Sequence, residues 1–84
     1  MKREDLPARL YIVIEGLGGE GTLLDICKKF WEQYETELQK SGDLFYTWQY
    51  DIRWAATSLR KAGLMEEANT CEKGTWRIIR KPLI

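Results

Sequence analysis

Eighty-four residues allow one domain with a modest core, because even a domain of about 60 residues hides only ~60% of the surface its unfolded chain exposes. Hydrophobic residues make up 44%, with four Trp, four Tyr and two Phe, which suffices for folding without staples; residues 1–84 read as a single domain with its core at 6–79. Thirteen basic and thirteen acidic residues cancel, which argues against a purely electrostatic nucleic-acid binder.

The cancellation hides an asymmetry. Residues 1–44 carry six Lys/Arg and nine Asp/Glu, and residues 45–84 carry seven and four. The halves sit near −3 and +3, so an anionic partner is expected to meet the second half. Cys27 and Cys71 show no metal-ligand spacing, and without a histidine a zinc site cannot be completed. No cofactor is expected. The longest apolar run is far short of the ~18 residues of a membrane span. No signal-peptide core follows the charged start Lys2-Arg3-Glu4-Asp5, so no membrane partner and a cytoplasmic address are expected.

In chain order, Leu6, Leu10, Val13, Ile14 and Leu17 are spaced as one face of a helix. Asp5 serves as its expected N-cap and Pro7 fits the first turn. Four glycines within 16–21 end it. Thr22 is the expected cap of a second helix, with Asp25 completing a weak capping box. The buried stripe is Leu23, Ile26, Cys27, Phe30, Trp31 and Tyr34, with Lys28, Lys29, Glu32 and Gln33 toward water. This helix is expected to fade through 35–40 and to stop at Ser41-Gly42, which leaves a long connection over 35–46.

A third helix is predicted over 47–62, stopped by a left-handed Gly63. At about 100° per residue, Trp48, Ile52, Ala55, Leu59 and Ala62 share its inner face. Tyr50, Arg53, Trp54, Thr57, Arg60 and Lys61 share the outer one. The wheel turns Trp54 outward, where it would stack on a partner; the other reading packs it under the 35–46 connection. Residues 64–67 and 75–79 then read as two short strands around a polar turn holding Asn69, Lys73 and Gly74. The fold class expected is α+β, a winged helix: a three-helix helix-turn-helix core followed by a β-hairpin wing.

The runs Tyr50-Asp51-Ile52-Arg53-Trp54-Ala55, Leu59-Arg60-Lys61-Ala62-Gly63-Leu64-Met65 and Gly74-Thr75-Trp76-Arg77-Ile78 resemble the amino-terminal winged-helix domain of Mrr-like restriction system proteins. The glycine stretch and the long connection before the third helix are similar as well. The resemblance spans roughly 6–79, with its specific part at 50–78. It implies a DNA-binding module of the kind that precedes a nuclease domain in that family. The spaced Asp and Glu-x-Lys set of such a nuclease is absent from this sequence.

The outer face of the third helix is the candidate site. In helix-turn-helix docking the amino-terminal part of the recognition helix reaches base edges in a major groove about 12 Å wide. That nominates Gln49, Tyr50 and Arg53 for readout, with Thr57 as a further hydrogen-bonding group and Arg60 and Lys61 nearer the phosphates. Lys73 and Arg77 on the hairpin would grip adjacent backbone. The expected partner is double-stranded DNA. The alternative is a solvated charged face, or a protein-interaction or dimerisation module on the same scaffold.

Catalysis is not expected. Histidine, the commonest general base, is missing, and Glu66-Glu67 alternate across a strand. Gly16-Leu17-Gly18-Gly19-Glu20-Gly21 satisfies the letter of a dinucleotide fingerprint after Tyr11-Ile12-Val13-Ile14. The chain is too short for the parallel sheet that such a site needs, and Glu20 would face the pyrophosphate with a negative charge.

Overall fold

The computed structural model describes residues 1–67 and 74–79. Among them, a 3-10 turn at Arg3–Asp5 leads into helix α1 (Leu6–Gly16), strand β1 (Glu20–Thr22), helix α2 (Leu23–Gln39), helix α3 (Leu44–Lys61) and strand β2 (Thr75–Arg77). The class is α+β: three helices and a two-stranded antiparallel sheet.

Helix α1 runs where its apolar spacing places it, with Leu6, Leu10, Val13 and Ile14 fully buried. The expected Asp5 cap does not form. Asp5 already has helical dihedrals (φ −81°, ψ −17°), and its carboxylate accepts the Lys2 backbone N–H at 2.9 Å, tied up in the preceding turn. Tyr11–Ile14 are helical, so the glycine stretch lacks the preceding strand of a dinucleotide site.

The short strand β1 was not foreseen. Its residues pair Glu20 with Arg77, Gly21 with Trp76 and Thr22 with Thr75; the chain returns through Gly18 and Gly19 at φ of 97° and 103°, conformations that glycine adopts without a Cβ penalty. Thr22 then caps α2 as expected, its hydroxyl accepting the Asp25 N–H at 3.2 Å.

Helix α2 corrects the expected fade after Tyr34. Tyr34 leaves helical dihedrals (φ −120°, ψ 15°), yet the helix resumes to Gln39 and buries Leu38 completely. The i, i+4 step from Tyr34 to Leu38 keeps both on the core side, while Glu35, Thr36 and Glu37 stay exposed. Arg9 supports this end from α1, its guanidinium 5.3 Å above the Tyr34 ring and 3.7 Å from Glu37. The long 35–46 connection therefore shrinks to residues 40–43.

Helix α3 starts three residues before the expected Thr47 and buries Leu44, Trp48, Ile52, Ala55, Ala56 and Leu59. Ala62, expected inside, is exposed beyond the last helical turn. The stop is a Schellman motif: Leu64 N–H donates to the Leu59 carbonyl at 2.8 Å and Gly63 N–H to Arg60 at 3.1 Å, with Gly63 at φ 76° as the C′ glycine.

The expected strand over 64–67 is reduced to an isolated bridge, Met65 with Ile78, flanked by Glu66 N–H to the Arg77 carbonyl and Ile79 N–H to the Leu64 carbonyl, both 2.9 Å. On the other side of Ile78, its N–H donates to Gly19 at 2.9 Å. The β2 segment thus lies between β1 and the chain around Met65. Met65 and Ile78 carry the sheet into the same core as the helices. The turn residues Asn69 and Lys73, and Cys71, lie outside the described residues. No described helix is long and apolar enough to cross a membrane.

Candidate functional site

Burying six side chains of α3 fixes its rotation, because each Leu or Ile among them contributes about 1.5–3 kcal/mol when taken fully from water. What remains outside is an arc of about 120°. Gln49, Tyr50, Arg53, Thr57 and Lys61 are exposed on it. Tyr46 belongs to the same arc and is 82% exposed, with Tyr50 at 76%. A helix start placed at Thr47 hid Tyr46 from the sequence reading; the i, i+4 pair Tyr46/Tyr50 was the available signal. From Tyr46 to Lys61 the face extends about 22 Å.

Two nominated cations are drawn away from this face. Arg60 is half-buried; its Nε donates to the Glu66 carbonyl at 3.1 Å and its guanidinium sits 5.8 Å from the Trp76 ring. Arg60 therefore ties α3 to the sheet. Arg77 pairs at 3.1 Å with both Glu20 and Glu66, bracing β1 and the Met65 segment from the strand between them. The two carboxylates raise its already high pKa further, with the Glu20 hydrogen bond the larger cause. Lys73 lies outside the described residues. The nominated set thus separates into an exposed row on α3 and two arginines engaged within the fold.

Trp54 is half-buried and packs against the core from its edge. The Arg3 guanidinium lies over its ring at 4.0 Å and is itself held by Asp51 at 3.6 Å.

Beside the exposed row runs an open groove between α2 and α3, about 700 Å³ in volume. Its floor is aromatic: Trp31, Phe45 and Trp48. Leu24, 63% exposed, lines it one turn from Lys28 on α2, and Gln49 lines it from α3. Cys27 also lines it; burial pushes its thiol above the ordinary value of 9.0, and the nearby Arg53 charge pulls it partly back. Lys28 and Leu24 escaped the sequence reading, since nothing local says that an exposed α2 position overlooks α3.

A second groove, about 610 Å³, lies between α1 and the end of α3 and is lined by Tyr11, Ile12, Leu59 and Leu64 among others. Among the described residues its lining is largely apolar and includes no cation. Among the described residues no three His, Cys, Asp or Glu side chains cluster as a metal site. Compared with known proteins, the chain matches no family model, and no curated protein or solved structure matches it significantly.

Proposed function

We propose that this chain is a winged-helix module that binds double-stranded DNA through α3 and does not itself catalyse a reaction. The observation that carries the reading is the continuous exposure of Gln49, Tyr50, Arg53 and Thr57 along one rigid rod whose other side is anchored in the core. Those groups supply an amide, a phenol, a guanidinium and a hydroxyl, the donors and acceptors that read base edges in a major groove. The basic second half of the chain and the resemblance of 50–78 to the amino-terminal domain of Mrr-like proteins point the same way.

Arg60 and Arg77 take a different role in this reading. Arg60 holds the sheet against α3, Arg77 braces β1 and the Met65 segment, and the phosphate contacts are left to Lys61 and Lys28. The test is anisotropy of a labelled mixed-sequence duplex at low salt. The reading predicts saturable binding well below millimolar protein, weakened by added salt because counterion release then gains less free energy. No binding below millimolar contradicts it.

A second reading, a protein-interaction or dimerisation module, is favoured by the exposure of Leu24, Tyr46 and Tyr50, the last two one turn apart on α3 as a pair of large side chains open to a partner. It predicts a dimer mass in light scattering, with α3 covered.

A further inference from the structure

The aromatic rings under the α2–α3 groove form a near-parallel series. Phe30 and Trp48 lie 5.4 Å apart with planes 14° from parallel, and Trp48 and Trp31 lie 6.1 Å apart at 15°. The series starts in the core at fully buried Phe30 and ends at half-buried Trp31 in the groove. Offset stacking at such separations is the favourable arrangement of flat rings, so one more flat ring laid in the groove would continue it. Among the described residues that line the groove there is one cation, Lys28, one amide, Gln49, and no carboxylate.

We propose that this groove seats one unpaired nucleobase of the bound DNA, stacked on Trp31, with Gln49 meeting its edge and Lys28 drawing its phosphate. The inference rests on the DNA-binding reading and narrows it. A flat π-face, a hydrogen-bonding edge and an adjacent negative charge are what a nucleotide offers, and the floor, the amide of Gln49 and the ammonium of Lys28 answer each in turn. A base inside a duplex cannot enter a cleft between helices; it must leave the stack, at least cost where it is already unpaired. The volume of about 700 Å³ accommodates a base with its sugar, within the roughly 300–1,000 Å³ typical of ligand sites.

The experiment compares two duplexes that differ only by a single bulged 2-aminopurine, read by anisotropy and by the fluorescence of that base. The bulged duplex is expected to bind about tenfold more tightly, in keeping with base–aromatic stacking, and its 2-aminopurine emission to be quenched. Trp31→Leu is expected to abolish the difference. Leu24→Glu, a change at an exposed rim that leaves the core intact, is expected to do the same by setting a carboxylate where the phosphate would lie. Equal affinities without quenching overturn the inference and leave duplex binding standing. Binding of the bulged duplex alone sustains the groove and sinks duplex reading; binding of neither overturns both. If Leu24→Glu converts a dimer to a monomer while the affinity ratio is unchanged, a second copy covers the groove and the inference falls.

Discussion

The guanidinium of Arg3 stands 4.0 Å above the Trp54 ring, so a residue from the start of the chain covers the tryptophan on the outer side of α3. A cation over an indole at a partly exposed site contributes about 0.5–1 kcal/mol. Arg3→Ala is therefore expected to lower the Tm slightly and to shift Trp54 emission to longer wavelength as water reaches the ring. A spectrum identical to that of the wild type would show that the stack does not persist in solution.

Burial of Leu38 anchors the last turn of α2. Leu38→Ala removes a fully buried side chain and is expected to cost about 2–5 kcal/mol, measured by urea unfolding. A loss below about 0.5 kcal/mol, the range of ordinary surface changes, would mean that α2 ends near Tyr34 after all.

Gly63 and Gly16 make a matched pair. A Cβ at either meets nothing within 4 Å, but Gly63 sits at φ 76°. Gly63→Ala is expected to cost about 1–2 kcal/mol through the left-handed backbone alone, a Tm drop of roughly 4–8 °C per kcal/mol. Gly16→Ala, inside α1, is expected to be neutral or to stabilise by up to about 1 kcal/mol. Equal effects would contradict the helix ending described for α3.

Burial holds the Cys27 thiol above 9.0 against the opposing charge of Arg53. The folded state then keeps a proton that the unfolded chain releases. The contribution to stability is full below the unfolded value and is lost as pH rises through the folded one. In a Cys71→Ser background, alkylation of Cys27 is expected to stay slow through neutral pH, with its midpoint above 9.0. Adding Arg53→Ala is expected to move the midpoint higher still. A midpoint that falls on removing Arg53 would place that guanidinium elsewhere.

Local patterns carried part of this architecture. Helix α1, the core face of α3 and the Gly63 stop follow from 3.6-residue periodicity and one glycine, all contained within a few turns of chain. The features that escaped depend on distant partners. Strand β1 is three residues with a glycine in the middle and exists through its pairing with β2, more than fifty positions away. Leu38 looked isolated among Glu35, Thr36 and Glu37, although its i, i+4 relation to Tyr34 continued the stripe. At the site, a helical wheel suffices to expose Gln49, Tyr50, Arg53 and Thr57. It cannot tell that Arg60 bends to the Glu66 carbonyl, that Arg77 is held by two glutamates, or that Lys28 overlooks α3.

The central claim is that the exposed row of α3 meets DNA, and Arg53 lies at its middle. If Arg53 reads a base, Arg53→Ala is expected to weaken duplex binding by about 1–3 kcal/mol. Arg77→Ala is expected to leave binding unchanged while lowering the Tm, by less at high salt as the ion pairs are screened. Equal losses of affinity from both would assign the effect to fold stability.

An amide chemical-shift titration with a mixed-sequence duplex tests the claim most directly. The account predicts progressive shifts concentrated at Gln49, Tyr50, Arg53 and Thr57, with Lys28 following on α2. Shifts confined to Tyr11 and Ile12 on α1, or none at saturating duplex, would contradict it.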